Sequence, residues 1–312
     1  MSTGYFIKRI LLLIIMAFAG TALIFFSMRV LPGDPVIVVL GDVYTEEAYE
    51  ALTVRLGFDQ PLGVQFVDFL SGLLRGDLGH TLFTHVPIAQ ILGRALPYSL
   101  ELAAGILAIG FLVGGALGMV SALAQRRFLS ESVRLIYMLG ISVPPFLLCI
   151  LFILFFSLTL GWFPMHGAGE LPGERLYHLV LPALAGAAPL AAIVAGVLRS
   201  HLLQILQSDY IRTARAKGLS EMAVVFVHAL RNALIPLITV MGNAIPVLLA
   251  ELVLIERIFN RPGIGKMLLD SMLKRDYPAV QSTMVLIILA VLVVNLLVDL
   301  AYTAVDPRVK YE

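Results

Sequence analysis

Cysteine and charged residues are both scarce in this sequence. The single cysteine, Cys149, rules out an intrachain disulfide and a cluster of metal-binding thiolates. Charged residues make up only 14% of the 312 positions, whereas 59% are hydrophobic and the mean hydropathy is +0.93. These values lie outside the range of ordinary soluble proteins and indicate an integral membrane protein.

Enzyme signatures are also absent from the sequence. There is no His-Glu-x-x-His or Gly-x-Ser-x-Gly motif, and the six histidines show no spacing typical of metal ligands. The nearest approach to a phosphate-binding loop, residues 261–267, lacks the leading glycine and the final Ser/Thr. We therefore expect a chain that is not an enzyme and binds no metal, nucleotide, other cofactor or nucleic acid itself. If it drives transport with ATP, another subunit must bind the nucleotide.

Six apolar stretches are long enough to cross a bilayer as helices. A hydrocarbon core of roughly 30 Å requires about 20 apolar residues per helix. They contain continuously apolar runs such as IGFLVGGALGMV at 109–120, which exclude transmembrane strands of alternating polarity. They cover residues 10–28, 97–124, 133–160, 177–198, 233–255 and 279–304. The sequence predicts an all-α, polytopic membrane protein with six transmembrane helices.

The distribution of basic residues favours cytoplasmic N- and C-termini. On this assignment the first external loop is acidic, and short cytoplasmic segments carry a higher density of Lys and Arg. Five basic residues after the fifth span argue against it: Arg257, Arg261, Lys266, Lys274 and Arg275. The start of the chain resembles a secretory signal, but its apolar run continues to Met28, so we expect an uncleaved first span.

Four regions follow from this pattern. Residues 1–28 hold the N-terminal tail and first helix, and residues 29–96 form an external cap with two short helical stretches separated by a break at 59–61. Residues 97–304 form a five-helix core with a cytoplasmic loop at 199–233, and residues 305–312 form a cytoplasmic tail. No internal repeat is evident, unlike in many secondary transporters.

Glycine and proline occur inside the predicted spans. Gly110, Gly114 and Gly118 recur every four residues in the second span, which predicts a close approach of another helix. Pro144 and Pro145 interrupt the third span, where the freed carbonyl groups need neighbouring helices or a water-lined cavity. Such breaks fit either kinked helices around a transport pathway or kinks that only shape packing.

The fifth span contains two polar residues at helical spacing, Asn243 and Glu251. An ionisable group near the centre of a span costs about 2.5–3.5 kcal/mol on insertion scales, so Glu251 is a candidate functional residue. Lining a substrate pathway and forming an interhelical hydrogen bond both remain open for this pair.

Residues 209–236 form a basic, glycine-broken segment between the fourth and fifth spans. The pattern predicts a short helix that ends at Gly218 in the left-handed conformation, followed by a second short helix capped by Ser220. Val224, Val225 and Val227 would supply apolar contacts. A lipid-binding basic loop would explain the charge but not the turn between two helices. We therefore expect a docking surface.

Several motifs in register resemble the inner-membrane permeases of the peptide/nickel branch of ABC importers, close to the dipeptide permease B type. The motifs are RVLPGDP at 29–35, LPYSLELA at 96–103, RTARAKG at 212–218, HALRNALIP at 228–236, PGIG at 262–265, RDYP at 275–278 and NLLVD at 295–299. The resemblance covers essentially the whole chain and implies a type I ABC importer permease fold.

In that family the interior segment is the EAA loop, which sits in a groove of the ATPase subunit. The resemblance therefore implies a set of coupling residues in this chain: Arg212, Thr213, Ala214, Arg215, Lys217, Gly218, Leu219 and Ser220. The general motif has glutamate where this chain has Arg212, and its later proline appears here only at Pro236. Both departures leave open which charges contact the ATPase.

The resemblance also implies the partners and the setting. They are a second homologous permease, two cytoplasmic ATPases that carry ATP and Mg, and an external binding protein, assembled in a bacterial inner membrane. Cargo in this branch includes dipeptides and oligopeptides, with nickel, metal chelates and glutathione as alternatives. From the residues alone, Asn243, Glu251, Pro144 and Pro145 are the candidate pathway residues. The alternative function, from a different class of transport protein, is that of a secondary transporter driven by an ion gradient.

Overall fold

The computed structural model describes residues 3–30 and 33–305, which form helices and no extended strand. In chain order these helices are α1 (Thr3–Val30), α2 (Pro35–Leu40), α3 (Glu46–Arg55), α4 (Leu62–Leu74), α5 (Ile88–Leu123), α6 (Arg127–Ser142), α7 (Pro145–Phe152), α8 (Pro172–Leu206), α9 (Asp209–Ala216), α10 (Glu221–Ala223), α11 (Leu230–Ala233), α12 (Ile235–Ile258), α13 (Ile264–Leu273) and α14 (Tyr277–Val305). Two π-helical segments, Ile153–Thr159 and Val224–Ala229, continue α7 and α10. The prediction of an all-α chain is confirmed for these residues.

Four of these helices are long and apolar enough to cross a membrane. They are Ile7–Val30 within α1, α5, α8 and Tyr277–Val298 within α14. The helical run Arg127–Ser142 and its continuation Pro145–Thr159 pass the same test together, and a fifth span results if this pair is counted as one. The fifth predicted stretch falls on α12, which carries Glu251, Glu256 and Arg257 and is not among the four. Six spans therefore remain a prediction.

The predicted break at Pro144 and Pro145 is confirmed, and the bend is sharper than a kink. The two helical runs meet at 105°. Val143 is extended because a residue before proline disfavours the α conformation, and Pro144, at φ −58° and ψ 138°, cannot donate a backbone hydrogen bond. The stretch 133–160 is thus two helices rather than one continuous helix.

The short helices predicted between residues 29 and 96 are present. Thr45 caps α3 by accepting a hydrogen bond from the Ala48 N–H at 3.1 Å, and α4 begins directly after Pro61. An additional helix, α2, was not predicted. Its cap is the Asp34 carboxylate, which accepts a hydrogen bond from the Val36 N–H at 2.8 Å.

The described residues divide into two compact units, one made of those up to Tyr98 together with those from Pro262 onwards, and the other of Ser99–Arg261. In the first unit α14 packs against α1 and α13. Asp276, at the start of α14, accepts hydrogen bonds from the Leu82 N–H at 3.1 Å and from the Ala279 N–H at 3.3 Å. This buried carboxylate ties the loop before α5 to the α14 N-terminus.

The second unit is built around α8, which contacts α6, α7, α11 and α12. A Cβ atom on Gly114 would collide with the carbonyl oxygen of Ala191, and one on Gly118 would lie 2.8 Å from the carbonyl oxygen of Ala195. These glycines of α5 therefore lie directly against the α8 backbone. The predicted close approach of another helix to this face of α5 is confirmed.

Candidate functional site

The helix–glycine–helix turn predicted at Gly218 is present in the second unit. Residues 209–229, here called the elbow, begin with α9, and Gly218 adopts the left-handed conformation at φ +81°. Its N–H donates a hydrogen bond to the Arg215 carbonyl at 2.9 Å, and the Leu219 N–H donates one to the Ala214 carbonyl at 3.3 Å. A Cβ on Gly218 would meet nothing within 4 Å, so the turn requires glycine for its backbone conformation and not for space.

The second arm of the elbow differs from the prediction. Ser220 caps α10 as expected, accepting a hydrogen bond from the Ala223 N–H at 3.3 Å. The arm is not a separate short helix, because α10 continues through the π-helical Val224–Ala229 and α11. Leu234, in the right-handed conformation, then carries the chain directly into α12. The elbow is thereby joined to a long helix of the unit.

One face of the elbow is packed inside the unit. Ile211 and Ala214 of α9 lie in a core cluster with Leu202 of α8 and with Val224 and Ala229 of the π-helical segment. The same cluster extends to Leu237 in α12. The inner face of the elbow is therefore fixed to α8 and α12 by apolar packing.

The other face presents basic and apolar side chains to solvent. Arg212, Thr213 and Lys217 are exposed, as are four apolar residues: Leu219, Met222, Phe226 and Val227. Val224 and Val225 are buried, so of the three valines predicted to supply contacts only Val227 is available. Met222 and Phe226, four residues apart on the same face, were missed.

Arg215 does not present a free charge. Its guanidinium makes two hydrogen bonds to the Glu221 carboxylate, from Nε at 2.7 Å and from Nη2 at 3.1 Å. This pair links the two arms across Gly218. The hydrogen bond from Arg215 lowers the pKa of Glu221, and the same bond raises the pKa of Arg215.

The second unit also contains a cavity of about 320 Å³, which two of the predicted pathway residues line. Asn243 and Glu251 both line it, with apolar residues from α5, α8 and α12 around them: Ile106, Gly186, Pro189, Leu190, Ile193, Val240, Ala244, Val247 and Leu248. Pro144 and Pro145 are not among its lining residues. The structure therefore brings together two of the four candidate pathway residues.

A buried charge cluster was missed by the sequence analysis. The fully buried Arg261 donates a hydrogen bond to Glu101 at 2.8 Å, and Arg175 lies 2.7 Å from the other oxygen of the same carboxylate. Nearby in the chain, the Ser99 hydroxyl donates to the buried Glu256 at 2.6 Å. Glu101 thus joins two arginines.

Among residues 3–30 and 33–305, no three histidine, cysteine or acidic side chains are grouped as a metal ion would require.

Two family models match nearly the whole chain. Residues 114–311 match the binding-protein-dependent transport system inner membrane component, and residues 3–102 match the N-terminal part of such membrane components. The chain is 37% identical to a probable peptide ABC transporter permease protein of Sinorhizobium fredii, over 98% of this chain and 99% of the relative. It is 38% identical to the glutathione transport system permease protein GsiC of Escherichia coli K12, over 99% of both chains.

Solved structures show the same fold. The methionine ABC transporter MetNI in an inward-facing conformation matches with a TM-score of 0.59 at 19% identity, covering 70% of this chain and 97% of the other. An amino acid ABC transporter matches with a TM-score of 0.53 at 15% identity, covering 71% and 95%. At these identities the likeness concerns the fold alone. The family matches and the full-length relatives carry the assignment, and the chain belongs to the inner-membrane components of binding-protein-dependent transport systems, as a permease of the peptide ABC transporter family.

Proposed function

We propose that this chain forms half of the translocation pathway of an ATP-driven importer of small peptides and transmits the movement of cytoplasmic ATPases to its own helices. The observation that carries the proposal is the continuity between the elbow and α12. The second arm of the elbow runs through Val224–Ala229 and α11 into α12, and α12 lines the cavity that contains Asn243 and Glu251. A displacement of the elbow would therefore reach the cavity through one helical run.

The exposed face of the elbow supports docking of another protein. Met222 is 74% exposed and Phe226 is 51% exposed, and the basic Arg212 and Lys217 are exposed in the same segment. Large apolar side chains and arginine are enriched at the centres of protein interfaces. We assign this face to an ATPase subunit, with Gly218 at its bend and with Thr213, Leu219 and Ser220 beside it.

The packed face of the elbow supports the transmission of movement from the ATPases to the helices of the permease. Ile211 and Ala214 share a core with α8 and α12, so the elbow would move with these helices as a rigid body. Closure of two ATPases on ATP would shift the permease pair between inward and outward openings, which is alternating access by population shift. ATP and Mg would be bound by the ATPases.

The remaining features of the proposal concern assembly and topology. We propose six spans, with α12 as the fifth and α6 with α7 as a bent third span, in a bacterial inner membrane with both termini cytoplasmic. A second homologous permease would complete the pathway, and a binding protein would deliver the cargo from outside. The region 29–96 would then form a cap on the outer side.

Peptides are proposed as cargo because the Sinorhizobium relative is described as a peptide transporter permease, and because glutathione, the cargo named for GsiC, is itself a small peptide. A bare nickel ion is less favoured, since the described residues contain no group of ligands for a metal.

Isolation of the chain from its native membranes tests whether it belongs to the proposed ATP-driven complex. We expect a second permease and two ATPases with Walker A motifs to co-purify, and ATP-dependent peptide uptake after reconstitution with the binding protein. An ion-gradient-driven secondary transporter would instead take up cargo as the single purified chain. Uptake by that chain alone, with an ion gradient and without ATPases, would overturn the proposal.

A further inference from the structure

We propose that Glu251 and Asn243 form a peptide-binding site inside the permease, in which Glu251 holds the protonated α-amino group of the cargo. This inference rests on the proposed function, import of small peptides, and adds a specificity site within the membrane. The permease would then select for a free amino terminus after the binding protein has released the cargo.

The two polar side chains lie on one line along α12. Asn243, Val247 and Glu251 are spaced four residues apart and all line the cavity. Eight residues of α-helix at 1.5 Å per residue separate Asn243 from Glu251 by about 12 Å along the axis. An extended peptide spans about 3.3–3.6 Å per residue, so this separation matches roughly three residues.

The carboxylate has no cationic partner in the described part of the chain. Within residues 3–30 and 33–305, neither the Glu251 nor the Asn243 side chain makes a hydrogen bond or an ion pair, and Glu251 is only partly exposed. By contrast, Glu101 and Glu221 are each paired with arginine. An intramembrane carboxylate is costly unless a cation or hydrogen-bond donor satisfies it, and the ammonium group of a peptide supplies both.

The apolar walls of the cavity could contact the rest of the peptide without selecting particular side chains. Apart from Asn243 and Glu251 the lining is apolar, with Ile106, Ile193 and Val240 on three different helices. Few water molecules compete in such surroundings, which strengthens the attraction between carboxylate and ammonium. The volume of about 320 Å³ lies at the lower end of the roughly 300–1,000 Å³ typical of small-molecule sites, which favours a short peptide.

The alternative occupant is a basic side chain of the second permease, which would neutralise Glu251 permanently. It predicts that loss of the carboxylate weakens assembly of the permease pair. A site for cargo predicts that assembly persists and that discrimination between peptides changes.

The test uses the complete complex in proteoliposomes, with ATP inside and a saturating binding protein outside. The probes are trialanine with a free amino group and N-acetyl-trialanine, and the measured quantity is the ratio of their uptake rates. Any preference of the binding protein cancels when this ratio is compared between permease variants. We expect Glu251→Gln to lower the ratio at least tenfold and Glu251→Asp to lower it less. Glu131→Gln, which changes an exposed carboxylate outside the cavity, should leave it unchanged.

Two results would overturn the site. One is an unchanged ratio in a Glu251→Gln complex that still hydrolyses ATP in response to the loaded binding protein. The other is a Glu251→Gln chain that no longer co-purifies with the second permease, which would assign the carboxylate to the permease interface. Failure of the proposed function looks different, because the unaltered complex would then show no ATP-dependent uptake of either peptide.

Discussion

Arg261 has no exposed surface, and its guanidinium donates a hydrogen bond to Glu101 at 2.8 Å across 160 residues of chain. The second oxygen of Glu101 lies 2.7 Å from Arg175 at the N-terminal end of α8. Glu101 thus joins α5, the first turns of α8 and the segment that follows α12. Burying a guanidinium is costly unless a carboxylate accompanies it, so this cluster fixes three elements relative to each other.

Glu101→Gln is expected to destabilise the chain by about 3 kcal/mol. Removal of one partner from a buried pair typically costs 3–5 kcal/mol, and the lower end applies because Glu101 is 35% exposed. The measurement is the fraction of monodisperse protein left after heating in detergent. The matched control is Glu131→Gln, whose exposed pair with Arg134 should contribute less than about 1 kcal/mol. Equal loss of thermal stability in both variants would contradict the prediction.

Two adjacent glycines of α5 should respond oppositely to alanine. A methyl group on Gly114 would collide with the Ala191 backbone, whereas one on Gly115 would meet nothing within 4 Å. We expect Gly114→Ala to cost about 1–3 kcal/mol through overpacking, because the backbone of α8 cannot move aside alone. Gly115→Ala should be neutral or stabilising, since alanine favours a helix by about 0.5–1 kcal/mol over glycine. The same heating assay distinguishes them, and similar stability of the two variants would exclude close packing at Gly114.

Local signals in the sequence were sufficient to locate much of the fold. Gly218 could be placed because a helix commonly ends with a left-handed glycine, and Ser220 because a serine hydroxyl satisfies the free N–H groups of a first turn. Pro144 and Pro145 revealed a break because proline removes a backbone donor. Each of these inferences depends on residues within one or two turns of each other.

Pairings between distant residues could not be predicted in this way. Nothing near Arg261 in the sequence indicates Glu101, so Arg261 was counted only among the five basic residues after the fifth span. The 105° bend between α6 and α7 depends on what the two helices pack against, which two prolines do not specify. Asn243 and Glu251 were identified from their helical spacing, but the apolar walls contributed by α5 and α8 required the tertiary structure.

The Arg215–Glu221 pair, which links the two arms of the elbow, should weaken at low pH. Arg215 holds the pKa of Glu221 below its ordinary value of 4.5, so the ionised pair stabilises the elbow above the pKa of the unfolded segment. That contribution is lost as the pH falls through the lowered pKa of Glu221. We expect amide hydrogen exchange at Gly218 and Leu219, corrected for intrinsic rates, to accelerate as the pH is lowered from 7 to below 4.5 in the nanodisc-embedded chain. The acceleration should be absent in Glu221→Gln, and its persistence there would assign it to another group.

Gly218→Val should separate ATP hydrolysis from transport. The φ of +81° is unfavourable for any residue with a Cβ and worst for a β-branched one, at a cost of about 1–2 kcal/mol or more. Since a Cβ at this position would meet nothing within 4 Å, the chain should still fold and insert while the turn relaxes. We expect the reconstituted Gly218→Val complex to hydrolyse ATP but to lose most of its peptide uptake. Gly218→Asn is the matched variant, because asparagine tolerates the left-handed region, and it should retain substantial uptake. Wild-type uptake in a well-expressed Gly218→Val complex would show that the elbow transmits movement without this conformation, and the lever proposal would then fail.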